Sequence, residues 1–138
     1  MVTISERYLD ILQSTALAYI ATIGPEGEPQ VSPVLFYWNG THILISMNKG
    51  RQKYRNMQRE SRVAVSIVDP ADFIRALEIR GTVIRIDEDA DYHFLNLMSQ
   101  KYLNRDATPE EAGPGEDRAV IVIEPQRLLP FPLEIDKR

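Results

Sequence analysis

Cysteine is absent from the 138 residues, which excludes disulfides, thiolate metal sites and thiol nucleophiles. Histidine is nearly absent: only His42 and His93 occur, far apart in the chain. No His-x-x-x-His spacing supports a metal site, and no serine stands in a Gly-x-Ser-x-Gly frame. Long apolar runs are missing too, none approaching the roughly 20 residues of a membrane-spanning helix. Met1 to Asp10 carries Glu6, Arg7 and Asp10 where a secretory signal would be apolar. The expected address is cytoplasmic, with no membrane partner. No catalytic side chain and no metal ligand can be named from these absences, so redox chemistry would fall to an organic cofactor.

What is present describes one globular domain spanning 1–138. The chain is 43% hydrophobic and 26% charged, enough for a single core and too short for two. Charge is unevenly spread. From Lys49 to Arg62 six basic residues (Lys49, Arg51, Lys53, Arg55, Arg59, Arg62) face one acid, Glu60. This local +5 leaves −9 on the rest of a chain whose net charge is −4. Such concentration points to a local anion site, not a polyanion-binding surface. Tyr54 is the only aromatic interleaved there, so no nucleic-acid partner is expected.

Ser5 is placed to cap a first helix reaching about Ser14. Ala16 to Ile23 reads as a buried strand ending at Gly24-Pro25-Glu26-Gly27, and Glu28 to Trp38 as a long alternating one. Asn39-Gly40 predicts a two-residue type I′ hairpin, with His42 to Met47 as the partner strand. Arg51 to Glu60 is helix-compatible, and Arg62 to Val68 returns to strand. Arg75 to Ile86 is a strand whose Gly81 marks a bulge or close backbone approach. Asp87 to Leu103 predicts a helix with acids in its first turn. Asn104 to Asp117 predicts a loop, Arg118 to Glu124 a last strand, and Pro125 to Arg138 an extended tail. About six hairpin-connected strands with short helices argue for an antiparallel sheet closed into a small barrel.

Alternation puts Gln30, Ser32, Val34 and Phe36 on one side of the second strand. Ser46 and Asn48 share a face of the third. Ser46-Met47-Asn48-Lys49-Gly50-Arg51-Gln52-Lys53 then leaves a strand, passes a glycine and opens a basic helix. Two readings stand at this point. Arg51, Arg55, Arg59 and Arg62 follow helical spacing, as a solvated basic face would. Alternatively, a helix N-terminus beside glycine and a planar guanidinium is suited to a phosphate. No Walker or Gly-x-Gly-x-x-Gly loop is present.

Several segments in order carry a resemblance: Ile20-Ala21-Thr22-Ile23, Gly27-x-Pro29-Gln30-Val31-Ser32-Pro33-Val34, Ile45-Ser46, Gly50-Arg51-x-Lys53-x-Arg55-Asn56, Arg62-Val63-Ala64-Val65-Ser66 and Leu77-Glu78-Ile79-Arg80-Gly81. Together they resemble the pyridoxamine 5'-phosphate oxidase-like split-barrel family, and within it the group using the deazaflavin coenzyme F420. The resemblance runs from about Leu17 to Glu124.

It implies a mainly β, six-stranded antiparallel split barrel of Greek-key type with short helices, dimerising around two cofactor grooves. Carried onto matching positions, Ser46, Arg51 and Lys53 would contact the cofactor phosphate, with Asn48 and Gly50 beside them. Gln30, Ser32, Pro33 and Val34 would line the ring and ribityl region, and Arg118 would assist from the other subunit. Lys49, Arg55 and Arg59 could answer the longer anionic tail of a deazaflavin. The implied activity is hydride transfer from reduced coenzyme F420 to a small conjugated acceptor. The alternatives are an FMN-dependent oxidase or reductase and a non-enzymatic flavin or deazaflavin carrier. Tyr37, Tyr54 and Tyr102 are conceivable proton donors, more readily explained as packing residues.

Overall fold

The computed structural model describes residues 4–132. Ser5 accepts the Arg7 N–H at 3.4 Å and caps a 3-10 turn over Glu6–Tyr8, which leads into α1 (Leu9–Leu12). Ile11 and Leu12 of α1 are fully buried. β1 (Ala18–Ile23) and β2 (Pro29–Val34) pair around the Gly24–Gly27 loop. There Gly27 takes φ +84°, a conformation that disfavours a side chain. The long second strand foreseen over Glu28–Trp38 is broken at Leu35 into β2 and β3 (Phe36–Trp38), giving seven strands where six were expected.

The turn into β4 (Ile43–Asn48) is not the predicted type I′. Gly40 has φ +96°, but Asn39 is not left-handed. Instead Asn39 Oδ1 accepts the Thr41 and His42 N–H groups at 2.9 and 2.7 Å, so a side chain makes the reversal. Next come α2 (Gln52–Arg59), β5 (Arg62–Val68), β6 (Ala76–Glu88), α3 (His93–Leu103), α4 (Pro109–Ala112) and β7 (Arg118–Phe131).

All strand pairs are antiparallel, in the order β2-β1-β5-β6-β7-β4-β3. β2 and β3 stand at opposite ends of this order yet are separated only by Leu35 in the chain. The sheet must therefore curl until its two ends meet, which is the expected split barrel. β5, β6 and β7 form a meander with β4 returned beside β7, a Greek-key arrangement.

Three expectations are corrected in the second half. Asp87 and Glu88 end β6 and do not open a helix; α3 begins at His93. Asp89 supplies its acidic cap from outside, accepting the Phe94 and Leu95 N–H groups at 2.9 Å each. The Asn104–Asp117 loop contains α4, held by a capping box between Thr108 and Glu111. The tail foreseen from Pro125 is the second half of β7, which runs to Phe131. Pro125 has no N–H for the ladder, and the register shifts there: Arg80 faces Arg127 while Gly81 faces Pro125. The bulge foreseen at Gly81 is thus present. Positions 133–138 of the expected tail lie outside the described residues.

Inward-facing residues such as Ile20, Ile45, Val65, Ile79 and Ile121 fill the barrel, closed by Ile11, Leu12 and Met57. Outside, Phe94 and Met98 of α3 cover Val120 and Val122. This second layer explains why β7 is buried on both faces along its first half. Among the described residues no helix is long and apolar enough to cross a membrane.

Candidate functional site

The chain turns sharply where β4 ends. Asn48 accepts twice: its Oδ1 from the Gly50 N–H at 2.7 Å, its carbonyl from the Arg51 N–H at 3.2 Å. That places Arg51 at the start of α2, whose N-terminus has no side-chain cap. A cavity of about 180 Å³ opens there. One wall is the β2–β3 break, Pro33, Val34 and Leu35; another is Ser46, Met47 and Asn48 of β4. Arg51 and Lys53 reach in from α2 and Arg118 from β7.

The lining has three cations and no carboxylate. Burial pushes the Lys53 ammonium down from its ordinary value, and neighbouring Arg51 pushes it the same way. Burial also lowers Arg118, which is only 8% exposed. Arg118 Nη2 donates to Ser46 Oγ at 2.7 Å, and Lys53 Nζ to Ser32 Oγ at 3.1 Å. Asp89 offsets part of the lowering at Arg118 from outside the cavity, and crowded, partly desolvated cations with no carboxylate lining their cavity are relieved by binding an anion.

The structure brings most of the sequence-nominated residues together. Pro33, Val34, Ser46, Asn48, Arg51, Lys53 and Arg118 all line this one cavity. Ser32 lies behind it through Lys53, and Gly50 forms the turn, where a Cβ would stand 3.0 Å from Asn48 Oδ1. Gln30 does not join them. Its Oε1 accepts from Asn56 Nδ2 at 3.1 Å and from Thr22 Oγ1 at 3.3 Å, a latch beneath α2. Arg118 reaches the cavity of its own chain, so it need not come from another subunit.

The cations proposed for a longer tail are engaged elsewhere. Lys49 pairs with Glu88, Arg59 Nη2 donates to the Ile23 carbonyl at 2.6 Å, and Arg55 Nη1 donates to the Gly50 carbonyl at 3.0 Å. The tyrosines pack as foreseen: Tyr102 Oη donates to the Ala16 carbonyl at 2.8 Å, and Tyr37 stands edge-on to Phe94. Sequence reasoning missed Leu35 and Met47 in the cavity wall, and Asn56, which is fully buried. Asn56 lies three residues after Lys53, one helical turn along, and that spacing was the available signal.

The family model for pyridoxamine 5'-phosphate oxidase matches residues 4–130. Among solved structures, an F420 reductase is 32% identical with a TM-score of 0.84, the match covering 91% of this chain and 98% of that one. The conserved hypothetical protein Rv2991 from Mycobacterium tuberculosis is 20% identical with a TM-score of 0.73, covering 94% of this chain and 86% of that one. General Stress Protein 26 from Bacillus anthracis is 19% identical with a TM-score of 0.67, covering 92% of this chain and 96% of that one. The latter two share the fold. No curated protein is a significant match.

Proposed function

Because the chain belongs to the pyridoxamine 5'-phosphate oxidase family of split barrels, we propose that it is an oxidoreductase that moves a hydride from reduced coenzyme F420 to a small conjugated organic acceptor. The observation that carries this reading is the acid-free cavity where Arg51, Lys53 and Arg118 converge beside the Ser46 and Asn48 side chains. A phosphate there would anchor the cofactor, leaving Pro33, Val34 and Leu35 to meet its apolar parts. The cofactor supplies the hydride when bound. The protein's share is to hold the phosphate, orient the acceptor and exclude water, and no side-chain acid is required. The deazaflavin assignment draws on the similarity to the F420 reductase.

One observation favours FMN as the second reading. With Lys49, Arg55 and Arg59 bonded elsewhere, few free cations remain to meet an oligoglutamate tail. A carrier without turnover is the third.

We also propose a homodimer that completes the groove. Tyr19 and Val31, 44% and 66% exposed, share an outer face with Ala21 and Pro33, and Pro33 belongs to the cavity wall. That face continues into a mainly apolar groove of about 320 Å³ floored by Ala21, Ala64 and Gly81. An apolar face bordering a cofactor cavity is suited to a second copy.

Titrating apo-protein with F420 and with FMN, then following oxidation of the reduced cofactor by quinones, enones and nitroaromatics, tests the reading. F420 binding with turnover supports it. FMN binding alone reverses the cofactor order, and binding without turnover of any acceptor leaves the carrier. A monomer by sedimentation with full cofactor affinity removes the dimer.

A further inference from the structure

We propose that the last turn of α3 positions one wall of the cofactor cavity: Tyr102 and Lys101 hold the backbone of Phe36 and so fix the Pro33–Leu35 segment beside it. This deepens the cofactor reading above and rests on it in assigning that wall to the apolar parts of the cofactor.

Strand pairing stops at this wall. β2 ends at Val34, opposite Ala18, and β3 begins at Phe36, opposite Ile45. Leu35 between them belongs to no strand, because the chain passes there from one end of the curled sheet to the other. Its side chain packs on the outer cluster that Phe94 and Met98 of α3 make with Val120 and Val122. Where the ladder is interrupted, other contacts must hold the chain.

Phe36 is where they act. Its ring is fully buried in the barrel core, while its backbone turns to α3. The Phe36 N–H donates to Tyr102 Oη at 3.3 Å, and its carbonyl accepts from Lys101 Nζ at 2.7 Å. Tyr102 Oη in turn donates to the Ala16 carbonyl at 2.8 Å, just ahead of β1. One hydroxyl thus spans the seam between the β1–β2 end of the sheet and the β3–β4 end.

The staple is built to stay in place. Burial raises the Tyr102 phenol above its ordinary value, so the hydroxyl keeps the proton it donates. The Lys101 ammonium lies 4.1 Å from the Phe36 ring centroid and 4.8 Å from that of Tyr102. Its bond to the carbonyl is charge-assisted, hence stronger than a neutral one. Asn104 ends the helix at once, with φ +61° and its N–H on the Gln100 carbonyl, so both side chains stand on a capped turn.

Tyr102 and Lys101 are therefore positioning residues, acting through Phe36 on a wall one residue away. The phosphate end of the cavity is furnished separately, by Arg51 and Lys53 of α2 and Arg118 of β7. Loosening the staple should then penalise a ligand that needs the wall and spare one that needs only the cations.

The test measures the affinities of FMN, F420 and inorganic phosphate for the full chain at pH 7. In Tyr102→Phe and Lys101→Met, the cofactor that wild type binds should bind about three- to thirtyfold more weakly, with phosphate changed by no more than about twofold. Exchange of the Phe36 amide, followed by NMR, should quicken in Lys101→Met, although the Tyr102 acceptor is still there. Equal losses for cofactor and phosphate would show general loosening and overturn the proposal. So would an unchanged cofactor affinity in either variant, or an unchanged Phe36 exchange rate in Lys101→Met. If Tyr102→Phe does not fold, the Lys101→Met affinities and exchange rate decide. A wild type that binds neither cofactor removes the cofactor reading and this proposal with it. Wild-type binding with both variants unchanged removes this proposal alone.

Discussion

Asn56, completely buried in α2, donates one amide hydrogen to Thr22 Oγ1 of β1 at 3.0 Å. The same Nδ2 also donates to Gln30 Oε1 at 3.1 Å, while its Oδ1 accepts from Gln52 Nε2 at 2.8 Å and Arg59 Nη2 at 3.2 Å. The amide is thus fully satisfied, and it fixes α2 against the barrel one turn after Lys53. Helix position, and with it the direction of Arg51 and Lys53, depends on this latch.

Asn56→Leu should therefore lower stability by about 1–3 kcal/mol, because Thr22 and Gln30 lose a buried partner. Adding Thr22→Val should cost less than the two single changes summed, since both act on one network. Denaturant melts of the three variants measure this. Strict additivity would show that the latch is not a unit.

Lys53→Ala should weaken phosphate-bearing cofactor about ten- to a hundredfold, the worth of one charge-assisted hydrogen bond. Arg51→Lys should weaken it too, as an ammonium lacks the planar fork. For the exposed Arg51, stability should move by no more than about 0.5 kcal/mol. Affinity and melting temperature taken together separate binding from folding. If both variants bind as wild type does, α2 is only a solvated basic helix.

Gly81 faces the bulge in β7, and a Cβ there would stand 2.6 Å from the backbone carbonyl oxygen of Glu124. A carbonyl held in a ladder cannot swing aside as a side-chain tip can. Gly81→Ala should cost about 1–3 kcal/mol through overpacking, read as a lowered melting temperature. An unchanged melting temperature would mean that the ladder adjusts freely.

Lys101 Nζ donates to the Phe36 carbonyl at 2.7 Å and lies 4.1 Å from the Phe36 ring centroid. Burial pushes its ammonium down from 10.5 to about 8. A folded-state value below the unfolded one means that the native protein releases this proton first. The penalty for burying the charge is present below pH 8 and relieved as pH rises from about 8 towards 10.5. The unfolding free energy of wild type relative to Lys101→Met should therefore increase across that window. A flat difference would mean that the aromatic contact holds the ammonium at its ordinary value.

The fold was legible because its determinants are local. Alternating apolar residues in Arg62–Val68 and the glycine loop at Gly24–Gly27 act over a few positions, and both elements stand where the pattern put them. The basic run and its glycine likewise placed Arg51 and Lys53 at the head of α2. Local reading faltered where a side chain or a paired strand overrides what composition suggests. Asn39-Gly40 has the composition of a type I′ turn, yet the Asn39 side chain bonds Thr41 and His42. The prolines of 125–132 suggested a tail, whereas pairing with β6 and a register shift hold Pro125 and Pro130 in a strand.

By itself, then, the sequence determined a mainly antiparallel barrel and a cationic turn after the strand that carries Ser46, because periodicity, turn chemistry and charge are properties of neighbouring residues. Tertiary structure alone decided that Gln30 serves the Asn56 latch and that Arg118 reaches Ser46, 72 positions away, within one chain. Such pairings arise only when the sheet curls to bring β4 and β7 side by side. No local pattern encodes which of several polar side chains on a strand will then find a buried partner, since the competition is settled by desolvation at the closed site.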